Sequence, residues 1–343
     1  MKILAIGGTG FIGPFVIQQL QRAGHSVTVF HRGNAALPRS TIQIPGDRNR
    51  LDDHRAAFAR EGFDVVIDFI LSSGRQAKQL IDTCRGITGR IVALSSMDVY
   101  RAWGVFYGLE PGELEPMPVD ETSAVRTQRQ TYPAEVLKKL QAMLPWLDDE
   151  YDKAAVERAI LGDKELPGTV MRLPMVYGPG DFAHRLYPFL KRMDDARPHI
   201  LFADDVAVMR TPRGYVENVA AGIALAAMSD RAAGQIYNVG EAEAFTELDW
   251  ARKIAAAAGW LGEFVVLPHD KTPAHLHWPG NTAQHLVVSS EKLRRELGYN
   301  EPVPRDESIR HTVAWERKHP PDTVGPFDYK AEDAAINGMK ASA

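Results

Sequence analysis

One cysteine in 343 residues leaves no internal disulfide to be made, and that residue, Cys84, falls in a helical pattern that reads as core. A dominant charge is also missing. Forty Lys and Arg stand against 44 Asp and Glu, so no bulk basic signal points to nucleic acid. No apolar run is long enough for a bilayer span or a signal peptide, and a reducing, cytoplasmic setting is the expectation. No internal repeat is visible. What is present, with 45% hydrophobic and 24% charged residues, suits a soluble globular chain of one large or two moderate domains.

The stretch from Met1 to Phe15 carries the most information. Ile3 to Ile6 is an apolar run of strand length, and Gly7, Gly10 and Gly13 follow at a spacing of three and three. Phe11, Ile12, Phe15, Val16 and Leu20 then recur at helical spacing. Strand, glycine turn and helix in that order aim free N–H groups and the positive end of a helix dipole at one point, where a pyrophosphate can sit. Gly7 permits the tight turn, Gly10 lets the phosphates approach, and Gly13 lets the helix pack on the strand. Pro14 suits a first helical turn, whose N–H groups are unpaired anyway. Thr9, Phe11 and Ile12 complete the turn as candidate cofactor contacts.

Ser26 to Phe30 reads as a second strand ending in His31-Arg32-Gly33. An acid about 20 residues past the glycines would hold the ribose 2′-OH of NAD. None stands there, whereas Arg32 suits a 2′-phosphate. NADP is therefore preferred over NAD, with His31 and Arg32 as candidate contacts; the alternative is that Arg32 is a solvated loop residue. Thr41 to Ile44 reads as strand three, followed by Gly46-Asp47-Arg48. Asp47 either accepts from the adenine amine or forms an Asx turn, or does both.

Asp52 to Arg60 and Gln76 to Cys84 read as helices, and Phe63 to Ile70 and Arg90 to Leu94 as buried strands. Ile70 and Leu71 follow the fourth strand as candidate cofactor neighbours. This alternation predicts an α/β chain with a doubly wound parallel sheet. The fifth strand runs into Ser95-Ser96-Met97-Asp98-Val99-Tyr100. Ligands of such sheets bind beyond the carboxyl ends of the strands. Ser95 is thus a candidate cofactor contact, and Ser96 and Asp98 are candidate substrate contacts; the alternative is turn-forming serines.

Four stretches occur in order: Gly7-Gly-Thr-Gly-Phe-Ile-Gly13, Ser95 to Tyr100, Arg172-Leu-Pro-Met-Val-Tyr-Gly-Pro-Gly180 and Tyr237-Asn-Val-Gly240. Together they resemble the extended short-chain dehydrogenase/reductase family, also called the NAD-dependent epimerase/dehydratase family, over roughly residues 1–318. The resemblance implies a Rossmann domain at residues 1–172, with an insertion at 101–147. It implies a mainly substrate-binding region at 173–318, with 205–240 returning to the Rossmann core, and a tail at 319–343. It also implies a homodimer, and hydride transfer between a nicotinamide cofactor and a nucleotide sugar or a small carbonyl or hydroxyl compound. Ser96 inherits the family's serine role.

The family spaces its catalytic tyrosine and lysine as Tyr-x-x-x-Lys, one helical turn apart. Here the matching run is Asp149-Glu150-Tyr151-Asp152-Lys153. Residues two apart on a helix cannot share a site. Either the helix starts near Lys153 and leaves Tyr151 in a loop that reaches the substrate, or another residue is the acid, or hydride transfer is lost. The first reading makes Tyr151 and Lys153 catalytic, with Lys153 also on the cofactor ribose. The last keeps a cofactor-binding protein of regulatory or RNA-binding kind, as some relatives of this family are.

By the same resemblance Leu173 and Pro174 pass the nicotinamide, and Met175 stands where many nucleotide-sugar enzymes have an Asn. Arg210 and Arg213 flank the position of a diphosphate-binding arginine; the alternative is surface arginines. Asp98 falls two residues after Ser96, which favours an epimerase or reductase over a dehydratase. Of His269, His275, His277 and His285 only two are close in sequence and no further ligand joins them, so no metal is expected. They are read as lining the substrate pocket or the surface. Residues from Pro320 onward are read as a tail with a mobile end.

Overall fold

The computed structural model describes residues 1–33, 37, 41–129, 132–144, 146–322, 325 and 327–342. Parts of the expected insertion (130, 131, 145) and tail (323, 324, 326, 343) lie outside the described residues. The strands are β1 (Lys2–Ile6), β2 (Ser26–His31), β3 (Ile42–Pro45), β4 (Val65–Asp68), β5 (Arg90–Ser96), β6 (Gly168–Leu173), β7 (Met175–Tyr177), β8 (His199–Ala203), β9 (Arg213–Tyr215), β10 (Ile236–Asn238) and β11 (Glu263–Leu267). Seven of them form one sheet in the order β10-β6-β5-β4-β1-β2-β3, and every neighbouring pair is parallel. The α/β expectation holds.

A sheet covered on both faces needs apolar residues on both sides of each strand. Ile3, Ala5, Val65, Ile67, Val92 and Leu94 enter one core. Their neighbours Leu4, Ile6, Val66, Ile91 and Ala93 enter the other. The first core is closed by α1 (Gly13–Arg22). The second is closed by α2 (Arg55–Glu61) and α3 (Gly74–Cys84). Cys84 is buried there, and burial pushes its thiol up to about 12, which suits packing rather than chemistry.

The segment after β5 is not structureless. It carries α4 (Arg101–Phe106) and α5 (Ala134–Met143), and Glu110 ties it down by accepting from the backbone N–H groups of Thr127 (2.6 Å) and Gln128 (2.8 Å). Beyond it come α6 (Lys153–Gly162), α7 (Tyr187–Asp194), α8 (Asp204–Val208) and α9 (Val216–Met228). Helix α9 packs beside α1, and β10 pairs with β6, so this part of the second half completes the main sheet. Then follow α10 (Glu247–Ala258), α11 (Glu291–Leu297), α12 (Arg305–Lys318) and α13 (Tyr329–Ser342). Strands β8 and β11 pair separately, as do β7 and β9.

Helix α13 anchors the expected tail. Glu332, 1% exposed, meets Arg192 at 2.6 Å and His275 at 2.9 Å, and Ile336 is buried against Leu201 and Leu267. Burying one paired carboxylate and one aliphatic side chain anchors the helix where composition suggested only small, polar residues.

Candidate active site

The glycine turn has the geometry its spacing implies. Gly7 (φ +83°) and Gly8 (φ +72°) occupy the left-handed region that only glycine takes without strain. A Cβ on Gly13 would lie 2.3 Å from the Gly8 backbone, so α1 packs on the turn only with glycine there. A Cβ on Gly10 would meet no protein atom within 4 Å and would project into open space. That is the space a pyrophosphate needs, so the residues present fit a dinucleotide.

Two cavities adjoin this turn and share Gly8, Gly10, Ile70 and Trp146. The smaller is lined by Gly7, Thr9, His31, Arg32, Asp47 and Arg48, the side on which an adenosine would lie. Arg32 is exposed and has no partner among the described residues. His31 bonds Gln43 through Nε2 at 2.9 Å. Asp47 accepts from the Asn49 N–H at 2.9 Å, an Asx-type turn that caps the short helix after it and still faces the cavity. Arg48 lines the same cavity with its side chain engaged by protein. Its guanidinium is buried and bonds Asp68 at 3.0 Å, the Gln76 carbonyl at 2.9 Å and Gln79 at 3.1 Å, so it braces β4 against α3.

The larger cavity, about 560 Å³, opens at the carboxyl ends of β1, β4, β5 and β6. It gathers Phe11, Ile12, Ser96, Asp98, Tyr151, Lys153, Leu173, Pro174 and Met175. The tyrosine and lysine meet there because of a cap. Asp152 is extended (φ −156°, ψ 90°), and its side chain accepts from the Ala155 N–H at 3.1 Å. An aspartate in that role starts the helix one residue later, so α6 begins at Lys153 and Tyr151 lies outside it. Helical spacing does not apply to the pair. Asp149, one turn before Lys153, instead faces Gln141 at 3.1 Å.

The cap is clamped. Arg126, 4% exposed, bonds Asp152 at 3.1 Å, and the Asp152 N–H donates to the Ser72 carbonyl at 2.9 Å. One turn into α6, Glu157 pairs with the buried Arg172 of β6 at 2.7 Å and accepts from Ser95 at 2.6 Å. Arg172 stacks on the Tyr100 ring, and the Tyr100 hydroxyl donates to Asn238 at 2.8 Å. Arg172, Tyr100 and Asn238 are thus the frame that holds α6 beneath the strand ends. Ser95 lines the larger cavity, and its hydroxyl is given to Glu157 within this frame. Leu71 is fully buried, and only its carbonyl takes part, as an acceptor for Lys153.

Asp98 sits at the base of the cavity and is 1% exposed. Its Oδ2 accepts the hydroxyls of Tyr132, at 2.8 Å, and Tyr151. Its Oδ1 is buried without a partner among the described residues. Ser96 caps the turn at Asp98, accepting its N–H at 3.2 Å. Burial, then the Asp98 charge, push the Tyr151 phenol well above its ordinary value. Tyr151 is thus held protonated beside a carboxylate.

Lys153 donates to the carbonyls of Leu71 and, at 2.9 Å, Leu94, which leaves one of its three N–H groups for a ligand. Burial lowers its ammonium to about 8 from 10.5. Between those values the unfolded chain holds a proton that the folded chain does not. The penalty is full below pH 8 and is relieved as pH rises through the window, by about 3 kcal/mol. The stability difference between wild type and Lys153→Met is therefore expected to climb in favour of wild type from pH 8 to 10.5. A flat difference in urea titrations would mean that the ammonium is solvated.

Neither Arg210 nor Arg213 reaches the cavity. Arg213 is neutralised by Glu247 at 2.7 Å and stacks on Trp250, and Arg210 donates to the Ala244 carbonyl at 2.5 Å. The sequence reading missed Arg185 and Tyr132, which do line it. Among the described residues no three His, Cys, Asp or Glu side chains converge as metal ligands, and no helix is long and apolar enough to cross a membrane. The four histidines fasten surface segments: His269 stacks on His277 and meets Asp205, His275 meets Glu332, and His285 accepts the Arg210 N–H.

A doubly wound parallel sheet with a glycine turn at the end of its first strand is a Rossmann-type nucleotide-binding fold. Residues 3–134 match the NAD dependent epimerase/dehydratase family. The chain is 23% identical over 320 residues to the chloroplast stem-loop binding protein of 41 kDa b of Arabidopsis thaliana, covering 87% of this chain and 74% of that one. It is 26% identical over 341 residues to the UDP-glucose 4-epimerase of Corynebacterium glutamicum, covering 92% and 95%. Its fold is similar to that of the UDP-glucose 4-epimerase of Thermus thermophilus in complex with NAD. That TM-score is 0.62, at 24% identity over 93% of this chain and all of the other.

Proposed function

We propose that the protein is an NAD(P)-dependent oxidoreductase or epimerase that acts by hydride transfer on a hydroxyl or carbonyl group. One observation carries this: Ser96, Tyr151 and Lys153 line the same cavity as the glycine turn. When bound, the nicotinamide supplies or accepts the hydride. Lys153 would offer its remaining N–H to the ribose, and Leu173 and Pro174, which line the cavity, would flank the nicotinamide. Ser96 hydrogen-bonds the substrate oxygen. For reduction, Tyr151 would donate its proton to that oxygen as the hydride reaches carbon and take one back from Asp98 Oδ2, protonated beforehand, so that both end as they stand in this structure. For oxidation, the substrate hydroxyl passes its proton to Tyr151 while Tyr151 passes its own to Asp98 Oδ2, so no proton is stranded. The two family relatives named as epimerases, and the NAD in one solved complex, support this reading.

Arg32 at the adenosine end supports NADP over NAD. Arg32→Ala is expected to weaken NADPH at least about tenfold and to leave NADH within about twofold, the loss of one charge-assisted contact to a 2′-phosphate. Fluorescence titration reads both. Equal affinities in wild type and variant would remove Arg32 from the site.

The stem-loop binding relative favours a second reading, a cofactor-binding protein without hydride chemistry that holds RNA. Filter binding against a stem-loop RNA at low and high salt tests it. Tight, strongly salt-dependent retention together with no turnover would move this reading ahead of the first.

A further inference from the structure

The larger cavity has an apolar wall. Residues 134–143 form α5, in which no residue is buried by protein. Leu140 and Met143 of this helix, with Leu144 and Trp146 after it, line the cavity. The helix is attached at its downstream end through Asp148, which accepts from Ser73 at 2.7 Å and receives Arg75 at 3.0 Å. Opposite stands Phe182, edge-on to Phe11 at 6.2 Å. Met143 and Phe182 are both 43% exposed, an apolar cost at the cavity rim that an apolar occupant would remove.

Charge argues the same way. The cations lining this cavity are Lys153 and Arg185. Lys153 faces two carbonyls at the cofactor end. Arg185 is neutralised by Asp181 at 2.5 Å and also bonds the Val176 carbonyl at 3.0 Å. Arg210 and Arg213 are spent elsewhere, and Asp98 adds a negative charge to the wall. With Lys153 given to the cofactor ribose, a substrate diphosphate would find only Arg185, already paired with Asp181, and would meet a carboxylate, whereas one neutral oxygen would find Ser96 and Tyr151.

We infer that this site takes a neutral ketone or secondary alcohol with an apolar body, and not a nucleotide sugar; the inference rests on the function proposed above. The polar demand of the ligand is one oxygen at Tyr151, and the rest of the molecule lies against the α5 wall.

The test is binding to the NADPH-loaded protein, read by quenching of tryptophan fluorescence, for 2-butanone, 2-hexanone and 2-octanone, with UDP-glucose alongside. Affinity is expected to rise about fourfold per added methylene. The double variant Leu140→Ser, Met143→Ser should flatten that rise in the NADPH-saturated protein. Phe182→Ser on the opposite wall should do the same if the double variant misfolds. A chain-length dependence that is flat in wild type, no ketone binding at all, or tighter binding of UDP-glucose than of 2-octanone would each overturn the inference. Turnover is followed separately by NADPH absorbance. Ketone binding without hydride transfer would leave the ligand class standing and remove the proposed reaction. UDP-glucose turnover without ketone binding would do the reverse.

Discussion

Replacing Tyr151 by Phe is expected to lower kcat about a hundred- to ten-thousand-fold, the usual span for losing a positioned general acid, while the affinity for NADPH changes less than about twofold. Tyr151 is the only one of the three candidate catalytic side chains that both carries a proton in the resting structure and has that proton directed at a carboxylate. The phenylalanine ring keeps the packing of a side chain that is 8% exposed, so the fold is expected to survive. Tyr132→Phe is the control. It removes the other phenol on Asp98 Oδ2 but leaves the Tyr151 contact, and its effect on kcat is expected to stay under about tenfold. Single-turnover absorbance at saturating NADPH separates the chemical step from binding. If the two variants lose activity equally, the proton does not pass through Tyr151, and the Asp98 carboxylate with Ser96 becomes the proton path to test.

The sheet, the glycine turn and most helices were legible in the sequence because each is a local pattern. Ile3 to Ile6 reads as a buried strand for the same reason that it is one, and Phe63 to Ile70 contains the shorter β4, Val65–Asp68: both faces of each strand enter a core. The start of α6 was legible only as one of three readings. The deciding contact, Asp152 on the Ala155 N–H, is local, but Arg126 and Ser72, which hold that cap in place, come from other parts of the chain.

The rest of the site depends on encounters that no window of sequence contains. Arg213 looked available for a diphosphate because its neutralising partner, Glu247, lies 34 residues away. Arg185 and Tyr132 carry no motif in the sequence, and only the fold brings them to the cavity wall. The same holds for α5. Its apolar residues resemble an ordinary surface helix in sequence, and only the fold shows that they have a cavity rather than a core behind them. Helix α13 was missed for the converse reason: its anchors, Arg192 and His275, are 140 and 57 residues distant from Glu332.

Two alanine substitutions in the glycine turn are expected to fail in different ways, and the difference reports what the turn is for. Gly13→Ala sets a methyl 2.3 Å from the Gly8 Cα and carbonyl oxygen, atoms of a backbone that cannot rotate aside. Either α1 or the turn must shift, at a cost of at least about 1–3 kcal/mol for forced overpacking, so the melting temperature is expected to fall by several degrees. Cofactor affinity is lost with it, because the same shift misaims the N–H groups at the head of α1. Gly10→Ala meets no protein atom within 4 Å. Its melting temperature is expected to stay within about 2 °C of wild type, yet its methyl occupies the space left for the phosphates, and NADPH affinity should drop at least about tenfold. Thermal melts with and without NADPH measure both terms at once, since ligand stabilisation scales with the logarithm of occupancy. A Gly10→Ala protein that binds NADPH like wild type would show that the open space beside the turn is not a phosphate site. A Gly13→Ala protein of wild-type stability would show that α1 does not need the close approach that the turn now gives it.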